Sequence, residues 1–109
     1  MSHEQFESVI ESLHECMVVC NHCYDACLEE ENMSMMVDCI RLDRECADIC
    51  AYLEQAIVRG TPFISDLAQV CAIVCEACGS ECQKHQHEHC KKCADACMEC
   101  AKACRNLIA

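Results

Sequence analysis

Sixteen of the 109 residues are cysteine, and their spacing shows what chemistry they are suited to. Cys71, Cys75, Cys78 and Cys82 step by 4, 3, 4, and Cys90, Cys93, Cys97, Cys100 and Cys104 step by 3, 4, 3, 4. The same rhythm runs through Cys16, Cys20, Cys23 and Cys27, and thinner through Cys39, Cys46 and Cys50. A helix advances about 100° per residue, so each set falls within an arc of roughly 60 to 80° on one helix face. Thiolate is a soft ligand suited to Cu(I), Zn(II) and iron–sulfur chemistry. Helical neighbours three and four apart have Cβ atoms about 5 to 6 Å apart, near enough for two sulfurs to clasp one ion that accepts two or three ligands, as Cu(I) does.

Spacing and charge discriminate among these metals. Structural zinc sites gather four ligands from short knuckles in turns, and iron–sulfur clusters also draw cysteines from loops. Continuous helical stripes resemble neither. About sixteen Cu(I) ions would neutralise sixteen thiolates, whereas about four Zn(II) ions would leave roughly eight negative charges in a core where each uncompensated ion costs several kcal/mol. If each sulfur bridges two coppers and each copper takes two sulfurs, the ratio is one metal per cysteine. A zinc-binding or metal-buffering thiolate protein is the alternative, and a visible chromophore would favour an iron–sulfur reading.

Other uses of cysteine fit less well. A disulfide scaffold is loop-rich and does not need cysteine to repeat with the helix period. Packing alone explains one or two buried cysteines, not four stripes where Leu, Val or Ala would pack better. A redox enzyme would need a loop-borne CxxC beside a βαβ pattern, and nothing singles out one nucleophile. The expectation is a non-enzymatic protein.

The stripes must be carried by helices, and two Gly, one Pro and no Trp leave little for hairpins or long loops. Helix 1 is predicted from about Glu4 to Glu31, with Phe6, Val9, Ile10 and Leu13 on the face that later becomes sulfur. Glu29, Glu30, Glu31 and Asn32 end it. Ser34 is the expected N-cap of helix 2, which runs to about Arg59 and passes from sulfur to Leu53 and Ile57, the reverse order expected of an antiparallel partner. Gly60, Thr61 and Pro62 read as C′, N-cap and N1 of a helix boundary. Helix 3 opens with Phe63, Ile64 and Leu67 and ends near Lys84. After a short turn, helix 4 runs from about His87 to Leu107. The expected fold is all-α: a single domain over residues 1–109, an antiparallel up-down-up-down four-helix bundle with a cysteine-lined core.

In that arrangement Phe6, Val9, Ile10, Leu13, Leu53, Ile57, Phe63, Ile64, Leu67, Leu107 and Ile108 converge into an apolar plug. Met33, Met35, Met36, His85, His87 and His89 sit beyond Cys27, Cys39, Cys82 and Cys90 at the other end, a mouth. Met36, His85, His87 and His89 are candidate metal contacts there; the plain alternative is methionines capping the core and histidines solvated in a turn. Asp43 follows Cys39 by four residues and takes the place of a cysteine in the helix 2 stripe. It either pairs with Arg41, Arg44 or a lysine, or modulates nearby thiols or copper. His3, His14 and His22 fall off the stripes and read as surface residues.

Eight Lys and Arg cannot outweigh nineteen acidic residues in a chain of net charge -11, which argues against a nucleic-acid partner. No window approaches 18 apolar residues, and Met1 to Gln5 show neither a basic nor an apolar leader pattern, so the expected setting is the cytoplasm, without a membrane partner and with thiols reduced. Val18 and Ile73 fall almost opposite the sulfur faces, and the back of helix 3 (Ala72, Ile73, Ala77, Ser80) carries little charge, as a subunit contact would.

The pattern resembles the bacterial copper storage proteins, in particular their cytosolic branch. The resemblance rests on Cys39-Ile40-Arg41-Leu42-Asp43-Arg44-Glu45-Cys46-Ala47-Asp48-Ile49-Cys50, on Cys75-Glu76-Ala77-Cys78-Gly79-Ser80-Glu81-Cys82, and on Lys84-His85-Gln86-His87-Glu88-His89-Cys90. It covers almost the whole chain. It implies storage of many Cu(I) ions, a His-containing open end for exchange, and a homotetramer; copper ions, delivered by a copper chaperone, are the expected partners. Val9, Leu13 and Ala68 stand where fuller relatives carry cysteine, which predicts a lower capacity than theirs.

Overall fold

A computed structural model describes residues 6–108. Four helices account for most of them: α1 Glu7–Leu28, α2 Val37–Val58, α3 Ile64–Cys82 and α4 Glu88–Arg105, with a 3-10 turn at Met33–Met36. Each helix has an acidic residue in its first turn (Glu7, Asp38, Asp66, Glu88), where the helix dipole favours negative charge. The start of helix 1 at Glu4 and the surface reading of His3 lie outside the described residues.

Sulfur contacts between helices fix their relative directions. Cys16 meets Cys46 at 3.7 Å while Cys27 meets Cys39 at 3.9 Å, so α1 and α2 run antiparallel. Cys39 meets Cys82 and Cys50 meets Cys71, which sets α3 antiparallel to α2. Cys16 meets Cys97 and Cys23 meets Cys90, which does the same for α4 against α1. The expected up-down-up-down bundle results, a rod of 48 × 19 × 17 Å.

The boundary at Gly60 follows the sequence reading. Gly60 has φ +76°, its N–H donates to the Ile57 carbonyl, and the Thr61 N–H donates to the Ala56 carbonyl, the paired bonds of a Schellman ending. Helix α3 begins at Ile64 rather than Pro62, so its cap position falls on Phe63 and not on Thr61, whose Oγ1 instead closes the preceding turn by accepting the Phe63 N–H at 3.1 Å. Ser34, by contrast, is not the N-cap of α2. It lies inside the 3-10 turn, and Met36 takes the cap position without a side-chain bond. The tighter turn puts Met36 into the core, 2% exposed. Burying a methionine is worth about 1.5–3 kcal/mol against about 1 kcal/mol for a serine cap.

The plug forms with one exception. Val9, Leu13, Leu53 and Ile57 are buried, and Phe6, Ile10, Ile64, Leu67, Leu107 and Ile108 pack around them. Phe63 does not join; at 62% exposure it faces solvent, because the turn from Thr61 places it before the first helical residue. Val18 and Ile73 are exposed as expected. Ala72 is not on the back of α3 but fully buried, since it adjoins Cys71 on the inward arc.

Candidate metal centre

The 3,4 spacing delivers what it implies: all sixteen cysteines are free thiols with no solvent exposure. Because the four stripes face one another, sulfur meets sulfur along most of the inner bundle, with the Asp43 carboxyl set among Cys39, Cys78, Cys82 and Cys93. From the plug end, Cys50 lies 3.8 Å from Cys71, 3.7 Å from Cys75 and 3.9 Å from Cys100. Cys46 lies 3.6 Å from Cys75 and 3.7 Å from Cys16. Cys20 then reaches Cys93 and Cys97, each at 3.6 Å. Cys39 and Cys82 meet at 3.3 Å, and Cys23 and Cys27 at 3.8 Å close the mouth end.

Several quartets have sulfurs all within 4.8 Å of one another: Cys16, Cys46, Cys50 and Cys75; Cys16, Cys20, Cys46 and Cys97; Cys20, Cys78, Cys93 and Cys97; Cys23, Cys27, Cys39 and Cys90; and Cys50, Cys71, Cys75 and Cys100. Four sulfurs at that separation also suit one tetrahedral zinc, but four of these five quartets overlap. Cys16, Cys20, Cys46, Cys50, Cys75 and Cys97 each belong to two. A structural zinc site keeps its four ligands to itself. Shared ligands suit a continuous cluster of bridged, low-coordinate monovalent ions.

Asp43 is the one buried charged or polar residue among those described, and its surroundings are sulfur. Thiols of Cys93, Cys78 and Cys82 donate to its Oδ1 at 3.2, 3.3 and 3.6 Å, and Cys39 donates to Oδ2 at 3.8 Å. Of the two alternatives, pairing with a basic residue does not occur: Arg41 and Arg44 are exposed, and Arg44 pairs with Asp48 at 3.2 Å. Positions 39, 43 and 46 share the inward face of α2, so 41 and 44 turn outward. Burial, reinforced by charge on Cys93 and Cys78, pushes the Asp43 carboxyl up to about 11, so it is neutral in the metal-free bundle.

At the mouth, desolvation first and the neighbouring Cys39 second raise Cys27 and push Cys90 up to about 12. Cys39 shifts the other way, held down by hydrogen bonds from Cys23 and Cys82. Of the three mouth histidines only His89 reaches sulfur. Its Nδ1 lies 3.4 Å from Cys23, 3.6 Å from Cys90 and 4.0 Å from Cys27. His85 bonds Glu81 at 2.9 Å, and His85 and His87 line an outer depression of about 360 Å³ with Asn32, Met35, Met36, Lys84 and Gln86. Met33 and Met35 are exposed, so of the methionines Met36 alone is tucked beneath that depression. His14 is on the surface beside Glu54, and His22 is exposed.

Sequence reasoning treated Glu30 only as part of a helix-ending acidic run. The structure aims it at His89, with 2.7 Å between the Glu30 carboxylate and Nε2. The signal was available, since Glu30 follows Cys27 by three residues and continues the α1 stripe.

Residues 2–109 match the family model described as copper storage protein. The chain is 51% identical over 88 residues to the uncharacterized cysteine-rich protein YhjQ of Bacillus subtilis, covering 80% of this chain and 82% of that protein. Among solved structures, the Cu(I)-bound copper storage protein BsCsp3 is 50% identical with a TM-score of 0.91, over 94% of this chain and 97% of its own. A cytosolic copper storage protein from Streptomyces lividans, loaded with five coppers, is 39% identical with a TM-score of 0.93, over 97% of this chain and 93% of its own. Among the described residues no helix is long and apolar enough to cross a membrane.

Proposed function

Because the chain belongs to the copper storage protein family, whose model spans residues 2–109, we propose that it is a cytosolic store holding Cu(I) on its core thiolates, about one ion per cysteine. The observation that carries this reading is the overlap of the inner sulfur quartets, where Cys16, Cys20, Cys46, Cys50, Cys75 and Cys97 each belong to two sets and so to no single ion. The core works as a relay. Within the mouth group (Cys23, Cys27, Cys39, Cys82, Cys90) and within the inner group from Cys93 to Cys71 a sulfur has another within about 4 Å. Asp43 lies between the groups, touching Cys39 and Cys82 on one side and Cys93 on the other, so ligand exchange moves Cu(I) inward without an intermediate in water.

Ions are admitted at the mouth, where His89 with Cys23, Cys27, Cys39 and Cys90 forms the first soft site, and His85, His87 and Met36 guide copper across the depression above it. Asp43 modulates nearby thiols or copper midway along the core. A copper chaperone supplies the mouth, and four copies assemble through outward residues such as Val18 and Ile73. The single domain is a reservoir and no step of this scheme is catalytic.

Anaerobic titration of the reduced protein against a Cu(I) chelator tests the proposal. Uptake close to sixteen equivalents per chain is expected. Saturation at one or two, or displacement of bound copper by Zn(II), would overturn it.

A further inference from the structure

His89 stands between two kinds of partner. Its Nδ1 faces the outermost sulfurs, 3.4 Å from Cys23 and 3.6 Å from Cys90, while its Nε2 lies 2.7 Å from Glu30 Oε2. A neutral imidazole carries one N–H, and an ionised carboxylate can only accept. The short contact to Glu30 therefore places the hydrogen on Nε2 and leaves the lone pair on Nδ1, the atom that faces sulfur. His87 backs this arrangement. Its ring is stacked on His89 with centroids 5.3 Å apart and planes 4° from parallel, and its Nδ1 is 3.4 Å from the same Glu30 oxygen. Of the run Glu29, Glu30, Glu31, only Glu30 is half-buried; its neighbours are exposed.

We propose that Glu30 is the positioning residue of the copper portal, holding His89 in the tautomer and orientation that present Nδ1 to an arriving Cu(I) beside Cys23 and Cys90. The inference rests on the storage reading given above. Glu30 does not touch the ion. Its carboxylate acts through the ring, as outer carboxylates act on metal-binding histidines, where losing the partner costs 10- to 100-fold in affinity or activity. Without it the ring is free to turn and to carry its hydrogen on either nitrogen, so only part of the population offers a lone pair to the metal.

Two measurements on the intact protein test this. Long-range proton–nitrogen NMR correlations of the reduced, metal-free chain at pH 8, assigned with His89→Ala, should show the unprotonated nitrogen at Nδ1, with both tautomers in Glu30→Ala. A hydrogen on Nδ1 in the unaltered protein would overturn the assignment. Stopped-flow transfer of Cu(I) from a chelator should be slowed about tenfold in Glu30→Ala. Glu30→Gln, which keeps an oxygen to accept the Nε2 hydrogen, should recover most of the rate. In the His89→Ala background removal of Glu30 should change the rate less than twofold. Equal slowing in both backgrounds, or Glu30→Gln as slow as Glu30→Ala, would identify an acidic rim that merely attracts cations. If the chain took up no copper, the storage reading would fall while the NMR result still decided the tautomer; helicity and final copper content check each variant's fold.

Discussion

The Asp43 carboxyl and the Cys93 sulfur lie 3.2 Å apart on opposite helices, and among the described residues no cation is buried with this acid. A carboxyl so placed is a liability as an anion and an asset as a neutral acid. Its folded-state value is pushed up to about 11 by burial, from an ordinary value of 3.8. The folded state thus holds a proton that the unfolded chain has already released, and stability falls as pH rises from about 4 toward 11. Between pH 5 and 8 histidines and the lowered Cys39 thiol also contribute, so the difference between the protein and Asp43→Asn is what isolates the carboxyl. Urea unfolding of the reduced metal-free protein should show a loss of the order of a few kcal/mol across that window. Asp43→Asn should flatten the profile and raise stability at pH 8; an unchanged slope would contradict the neutral acid.

Burial also keeps mouth thiols such as Cys27 and Cys90 protonated before metal arrives. Thiolate is the ligand, so binding must expel protons. Anaerobic loading at pH 7 in weak buffer with an indicator dye should release close to one proton per Cu(I). Release of only a small fraction would mean a core already ionised, and a different charge balance.

Leu13 and Ala68 are fully buried at the inner end of the sulfur stripes, three residues before Cys16 and Cys71. Each continues the 3,4 rhythm without contributing a ligand. Leu13→Cys with Ala68→Cys should therefore raise copper capacity by about two ions. The loss of leucine volume should lower metal-free stability by about 1 to 3 kcal/mol. Equilibrium titration and thermal unfolding read the two effects separately, and unchanged capacity would show that the plug end cannot hold metal.

Val18 and Ile73 are half-exposed on the outer faces of α1 and α3. If they lie between subunits, Val18→Glu with Ile73→Glu should shift the protein from tetramer toward monomer in light scattering, while copper bound per chain stays constant. A tetramer that survives both charges would place the contact elsewhere.

Much of this molecule was legible because its key residues repeat with the helix period. Cys16 to Cys27 and Cys90 to Cys104 could share a core only if each sat on one helical face, and the reversal from sulfur to hydrocarbon between α1 and α2 already implied antiparallel packing. Gly60 marked a helix end because a positive φ suits glycine. Ser34 misled because a local capping preference gave way to the burial of Met36, which is a tertiary gain. Phe63 misled because the helix was expected to start at Pro62, whereas it starts at Ile64 and leaves Phe63 at the cap position, outside the core.

Residue type and periodicity were enough to establish the helices, the inward sulfur and the preference for a soft monovalent ion, since those follow from about 100° per residue and from charge balance. Tertiary structure alone decided which sulfurs are shared between quartets, that Asp43 meets thiols and not arginines, and that His89, held by Glu30, is the histidine that reaches the core. Those outcomes depend on the register of one helix against another, where a shift of a few ångströms exchanges neighbours without changing any helix's own pattern.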